Sequence, residues 1–296
     1  KLLGIKKGDE VITPPNSFIS STSSIIHLGA KPVFADVLND QNIDPYKIEK
    51  KITKKTKAIM PVHLTGRICE MNEIMNISKK YKIPVIEDAA QSIGSRYYNK
   101  PAGSIGDIGC FSTHPLKNLN ACGDGGFLTT NKKKFYILAK SLQNNGMLGR
   151  NKVKYFGYLS RMDVLQASIL NFRLSKLDQV IKKRRSNFQT YKKLLDNKNI
   201  FFPIEKEYQF NTYHTFVIQV DKRDKLINYL KKKNIQTAIH YPIPIHKQVA
   251  YINKFGNEKY ENTETQSKKI LTLPINQYLT KKQITYISKT VNDFYK

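Results

Sequence analysis

Lys57-Ala58-Ile59-Met60-Pro61-Val62 and Pro84-Val85-Ile86-Glu87-Asp88 bracket a stretch in which Met71, Ile74, Met75 and Ser78 share one helical face. The two apolar runs have the length of buried strands, and the residues between them repeat at i, i+3, i+4. Strand, helix and strand in that order predict a βαβ unit with parallel strands. Parallel open sheets bind ligands beyond the carboxyl ends of their strands, and Asp88 stands at such an end.

Outward from this unit, Glu10 to Thr13 reads as a strand ending at Pro14-Pro15, and Lys31 to Asp36 as another. Ser20 to Leu28 suits a helix stopped by Gly29. Asp107 to Thr113 and Gly126 to Thr130 are predicted strands flanking a loop, and Lys133 to Gln143 a helix. Ser160-Arg161-Met162-Asp163 has the spacing of a helix N-cap signal ahead of one long helix. Thr215 to Val220 and Gln236 to His240 follow as strands, with helices over Asp224 to Lys233 and Lys281 to Phe294. The expected architecture is α/β. A large domain over 1–162 carries a mostly parallel sheet sandwiched by helices. A connecting helix spans 163–197, and a smaller α+β domain spans 198–296.

The 296 residues, 40% of them hydrophobic, suffice for a full core. No apolar run approaches the roughly 18 residues of a membrane helix. Cys69, Cys110 and Cys122 have neither metal-ligand nor CxxC spacing, so no metal site is expected and the thiols read as reduced ones in a cytoplasmic protein. Cys110 is expected in a buried strand. Fifty Lys and Arg against 23 Asp and Glu give a net charge of +27. That balance suits a polyanion partner or a generic lysine-rich surface. The lysine clusters are spread along the chain without interleaved aromatics, which favours the generic surface, with no nucleic-acid or membrane partner. Such a surface would still attract a diphosphate-bearing substrate.

The loop after the Asp107 strand reads Ser112-Thr113-His114-Pro115-Leu116-Lys117-Asn118-Leu119-Asn120-Ala121-Cys122-Gly123-Asp124-Gly125-Gly126. Pro115 and the glycine turn imply a shaped loop. Taken singly, Lys117 reads as one more surface lysine and Glu87-Asp88 as a solvated strand end. Together they offer what pyridoxal phosphate chemistry requires. Lys117 is an amine able to form a Schiff base and move a proton. Asp88 can keep a pyridine nitrogen protonated. Ser112 can donate to a phosphate, and Gln91 can reach the ring's phenolic oxygen.

With these residues stand Gly8-Asp9-Glu10-Val11-Ile12, Pro15-Asn16-Ser17-Phe18-Ile19, Gly29-Ala30-Lys31-Pro32-Val33, Pro61-Val62-His63-Leu64, Glu87-Asp88-Ala89-Ala90-Gln91, Cys110-Phe111-Ser112 and His240-Tyr241-Pro242-Ile243-Pro244. In this order, over nearly the whole chain, they resemble the sugar aminotransferases of the DegT/DnrJ/EryC1/StrS family. The resemblance implies the fold type I pyridoxal phosphate architecture. By it, Lys117 is the Schiff-base lysine, Asp88 pairs with the pyridine nitrogen, Gln91 sits by the ring hydroxyl and Ser112 holds the phosphate. Phe18, otherwise an ordinary core Phe, falls where the family stacks an aromatic on the cofactor ring. His240, Tyr241 and Arg161 are implied near the sugar-nucleotide, and His214 has the standing of His240. The implied reaction moves an amino group, from glutamate as donor, onto a nucleotide-linked keto-hexose, in a homodimer with shared sites.

Two departures accompany the resemblance. The family's Gly-Thr turn at a helix start, which binds the phosphate, is not in this sequence and is expected to have preceded Lys1. The family's Asn two residues before Arg161 is Leu159 here, and leucine donates no hydrogen bond. Two other functions remain open at the level of sequence. One is a sugar dehydratase, whose family version carries histidine in place of the lysine. The other is a non-catalytic basic binding protein.

Overall fold

The computed structural model describes residues 1–196 and 198–296. Its central sheet follows from three short parallel strands, Glu10–Thr13, Lys31–Phe34 and Thr56–Ile59, with the first in the middle. In-register pairing sets Glu10 opposite Lys31 and Thr13 opposite Phe34. The sheet continues through parallel bridges from Ile59 to Val85 and from Val62 to Asp88. It then runs through Ile86–Asp88 and the parallel Ile108–Ser112, and ends on the antiparallel Gly126–Thr129.

Successive side chains alternate between two covered faces, so these strands send apolar residues to both. Ile12 and Ile59 face a core with Met71, Ile74 and Val85. Val11 and Ala58 face another with Ile5, Ile25 and Met60. The crossover helix Met71–Tyr81 buries Met71, Ile74 and Ser78 and ends on Lys82 in the left-handed region. The helix Ile19–Ile26 covers the other face.

The smaller unit is an antiparallel sheet of Ile200–Phe201, Phe216–Val220 and Ile270–Leu273. The helices Leu177–Leu194, Arg223–Lys232 and Lys281–Asp293 pack on it through Phe188, Tyr191, Leu226, Leu230, Ile284 and Val291. The last helix starts with a capping box between Thr280 and Gln283.

Three sequence expectations change. The single helix over 163–197 is two, Val164–Leu174 and Leu177–Leu194. At the break the Ser175 hydroxyl donates to the Phe172 carbonyl at 2.7 Å, competing with the helical ladder. Asn197, the end of that expected helix, lies outside the described residues. Ser160 does not cap: the N-cap position is Asp163, and its side chain makes no capping bond. The strand expected over Gln236–His240 reduces to one bridge, Ala238 with Thr272. Beyond it the chain leaves the sheet edge and crosses to the loops of the parallel sheet.

That crossing is fastened at several points. Gln41 Nε2 donates to the His240 carbonyl at 3.3 Å, and the Ile245 amide to the Pro15 carbonyl at 2.8 Å. Asp36 accepts from the Asn262 and Thr263 amides and the Thr263 hydroxyl, anchoring the start of the helix Glu261–Lys269.

Candidate active site

The loops leaving the carboxyl ends of the parallel strands carry the residues singled out in the sequence. Phe18 follows the Glu10–Thr13 strand, Thr65 follows Thr56–Ile59, Gln91 follows Ile86–Asp88, and Lys117 follows Ile108–Ser112. A parallel sheet assembles a site in this way because every such loop opens at the same edge.

Asp88 is part-buried and held at both oxygens. The Ser21 hydroxyl donates to Oδ2 at 2.6 Å and the Ala90 amide to Oδ1 at 3.1 Å. Gln91 is fixed in the same manner. Its Oε1 accepts from the Thr65 amide at 2.8 Å, so its Nε2 is the donor presented to the Tyr241 hydroxyl at 3.3 Å. Burial keeps the Tyr241 phenol protonated, its pKa pushed up to about 12 despite the Gln91 contact, with the Asp88 charge adding to the rise.

Lys117 lies part-buried in its loop, with its amide bonded to the His114 carbonyl at 2.9 Å. Burial lowers its amine below the ordinary lysine value, and the Asp88 carboxylate opposes that shift. The amine is thus nearer to its neutral, nucleophilic form than a surface lysine. His214 and His240 face the same charge. Burial first, and then the Lys117 charge, lowers both imidazoles. His240 Nδ1 is paired with the Thr272 hydroxyl at 2.8 Å, which orients its ring. Ser112 closes its strand, and its Oγ accepts from the His114 amide at 3.3 Å, leaving the hydroxyl proton free to donate elsewhere.

Phe18 is not a core residue. It is 56% exposed and its ring lies 6.0 Å from that of Tyr241. The structure therefore brings Phe18, Asp88, Gln91, Lys117, His240 and Tyr241 together, with Ser112 at the same sheet edge. Arg161 is exposed and makes no hydrogen bond or ion pair among the described residues. Cys110 lies in the predicted strand but is only part-buried.

Sequence reasoning passed over Ser21, Thr65 and Thr272, which orient Asp88, Gln91 and His240. It also passed over the pair formed by His63 and Glu87 directly behind Asp88, joined at 2.9 Å with both side chains fully buried. A surface cavity of about 650 Å³ elsewhere is lined by Arg96, Tyr98, Arg185 and Phe210 and by none of these site residues.

Residues 1–292 match the DegT/DnrJ/EryC1/StrS aminotransferase family. Over 288 residues the chain is 41% identical to a dTDP-3-amino-3,6-dideoxy-alpha-D-galactopyranose transaminase of Aneurinibacillus thermoaerophilus, covering 97% of this chain and 79% of that one. The solved structure of DesV from S. venezuelae in complex with a ketimine intermediate superposes with a TM-score of 0.95 at 31% identity, over 99% of this chain and 80% of that one. The PLP-form of a putative sugar aminotransferase, Spr1654 from Streptococcus pneumoniae, gives 0.91 at 25% identity, over 99% and 82%.

The donor set fits pyridoxal phosphate: a desolvated primary amine, a carboxylate fixed at both oxygens, a strand-end hydroxyl with a free proton and an exposed aromatic at one sheet edge. The chain belongs to the DegT/DnrJ/EryC1/StrS aminotransferase family and is a pyridoxal phosphate-dependent sugar aminotransferase.

Proposed function

We propose that this chain transfers an amino group from glutamate to the ketone of a nucleotide-linked hexose, as a homodimer. The observation that carries the reading is a part-buried Lys117 amine that feels the charge of the doubly held Asp88 carboxylate, on neighbouring loops at the carboxyl edge of the sheet. When bound, pyridoxal phosphate supplies the electron sink that stabilises negative charge on the substrate carbon. Asp88, held by Ser21 and Ala90, keeps a pyridine nitrogen protonated by favouring the cation. Gln91, locked by Thr65, would offer its amide donor to the ring hydroxyl as well as to Tyr241. Ser112 would donate to the phosphate, and Phe18 would offer its exposed ring as the stacking surface.

Lys117 then has two tasks. Its neutral amine would be the group that holds the cofactor and, when free, the base that moves a proton at the substrate carbon. Desolvation favours both, because a fully charged ammonium is neither nucleophile nor base. His240 and Tyr241 face the same volume from the small domain and suit the sugar hydroxyls. The substrate class is supported by the Aneurinibacillus relative, named for a dTDP-linked amino sugar.

The homodimer is supported by one run of surface. Phe156 is fully exposed, and Val164, Leu165 and Phe172 are 82%, 71% and 69% exposed. Large apolar side chains gathered along one segment mark an association face. Leu159 and Arg161 lie on it, so Arg161 acts, in this reading, at the site of the other subunit.

Purified protein loaded with pyridoxal phosphate is expected to be yellow, and borohydride to fix the cofactor's mass on the peptide containing Lys117. Turnover of nucleotide keto-sugars with glutamate, read across a panel, identifies the substrate. A colourless protein that ignores the cofactor yet binds DNA with a steep salt dependence would overturn the reading.

A further inference from the structure

Glu87 and Asp88 are neighbours on one strand and point to opposite faces of the sheet. Asp88 opens to the site, whereas the Glu87 side chain is fully buried. A buried carboxylate is costly unless every lone pair finds a donor. Here four donors converge. The Ile105 and Gly106 amides reach Oε1 at 2.7 and 2.6 Å. The Gly103 amide and His63 Nε2 reach Oε2 at 2.8 and 2.9 Å. His63 Nδ1 accepts from the Cys69 amide at 3.2 Å, which leaves the ring proton on Nε2, aimed at Glu87.

Glycine makes this cradle possible. Gly103 sits at φ +78°, and a Cβ on Gly109 would come within 2.4 Å of the Gly103 Cα. A Cβ on Gly106 would come within 2.9 Å of the Val85 carbonyl oxygen. No larger residue would let the loop amides approach the carboxylate.

The cradle is tied to Asp88 through one residue. His63, whose ring holds Glu87, also donates its main-chain amide to the Asp88 carbonyl at 3.0 Å, while the Asp88 amide donates to the Pro61 carbonyl at 2.9 Å. One face of the strand is thus anchored by Glu87, and its end is registered by the segment that bears the His63 ring.

We propose that Glu87 is a positioning residue for the reaction, fixing through the His63 clamp where the Asp88 carboxylate meets the cofactor. This rests on the reading that Asp88 pairs with the pyridine nitrogen. Glu87→Gln keeps the shape but puts an amide NH2 among four donors. Whichever way it flips, two buried donors lose their acceptor and the clamp loosens.

The test uses the full chain loaded with 15N-labelled pyridoxal phosphate, reading the ring nitrogen's chemical shift, cofactor affinity and melting temperature for Glu87→Gln, His63→Gln and Asp88→Asn. Asp88→Asn should move the ring-nitrogen shift toward the unprotonated value. Glu87→Gln should move it the same way, in part, and weaken cofactor binding about tenfold or more, as displacement of a reacting group does. His63→Gln, which leaves the loop amides on Glu87, should give a smaller change of the same sign and serves alone if Glu87→Gln does not fold. If Asp88→Asn moves the shift while the folded clamp variants lower only the melting temperature, Glu87 is merely structural and the proposal fails. If Asp88→Asn leaves the shift untouched, the pairing of Asp88 with the ring is itself wrong.

Discussion

The Ser21 hydroxyl donates to Asp88 Oδ2 across 2.6 Å, joining the first turn of one helix to the end of a strand 67 residues away. This contact orients one oxygen of a carboxylate whose other oxygen is held by the Ala90 amide. A hydrogen bond to a charged group contributes about 1.5–3 kcal/mol. Ser21→Ala should therefore lower the melting temperature and, where the freed carboxylate turns away from the cofactor, weaken pyridoxal phosphate binding by up to roughly ten- to a hundredfold. Titration of the apoprotein by absorbance checks this. Unchanged affinity would mean that Ala90 alone holds the carboxylate.

Lys117 offers a second test. Replacement by Met removes the amine and keeps the bulk, so borohydride should fix no cofactor and turnover should fall by about a thousandfold or more. The same substitution has a signature in the apoprotein. The folded amine titrates below its unfolded value of 10.5. Between the two values the unfolded chain binds more protons, so wild-type stability rises with pH through that window. Lys117→Met should lack this rise, as urea midpoints between neutral and alkaline pH would show.

Much of this site was legible because its residues stand at strand ends, where period and punctuation are strongest. Asp88 closes a strand marked by Val85 and Ile86, and Lys117 sits between Pro115 and a glycine turn. The orienting partners were not legible. Ser20, Ser21, Thr22, Ser23 and Ser24 form an unbroken run of hydroxyls, and only tertiary packing selects the one that reaches Asp88. Thr65 acts through its main-chain amide, which no side chain announces. The helix break failed for a local reason: Ser175 reads as an ordinary helical position until its hydroxyl takes the Phe172 carbonyl.

The exposed apolar run makes a prediction about association. Phe172→Glu would place a charge on the proposed face, where burial without a partner is costly. The dimer should dissociate at least about tenfold more readily, a change of about 1.4 kcal/mol, in sedimentation at graded concentrations. Leu159→Asn restores a donor where the chain has a leucine 68% exposed. It should tighten cofactor binding in the dimer and leave it unchanged in the Phe172→Glu background. Tightening in both would place the new contact within one subunit.

Acid stability isolates the buried carboxylate behind Asp88. Burial works against ionised Glu87, but the hydrogen bonds from His63 and the loop amides outweigh it and hold the carboxyl below its usual value of 4.5. A depressed carboxyl contributes stability that is present above the unfolded value and is lost as pH falls through the folded one. Wild-type urea midpoints should therefore decline as pH falls below about 4.5, with Glu87 contributing part of the slope. Glu87→Gln should start from a lower midpoint at pH 7 and decline less steeply. Other depressed carboxyls, such as Glu264 at about 2, are common to both proteins and cancel in the difference. Parallel declines in the two proteins would show that the cradle does not hold Glu87 ionised. The four donors around it would then need a different account.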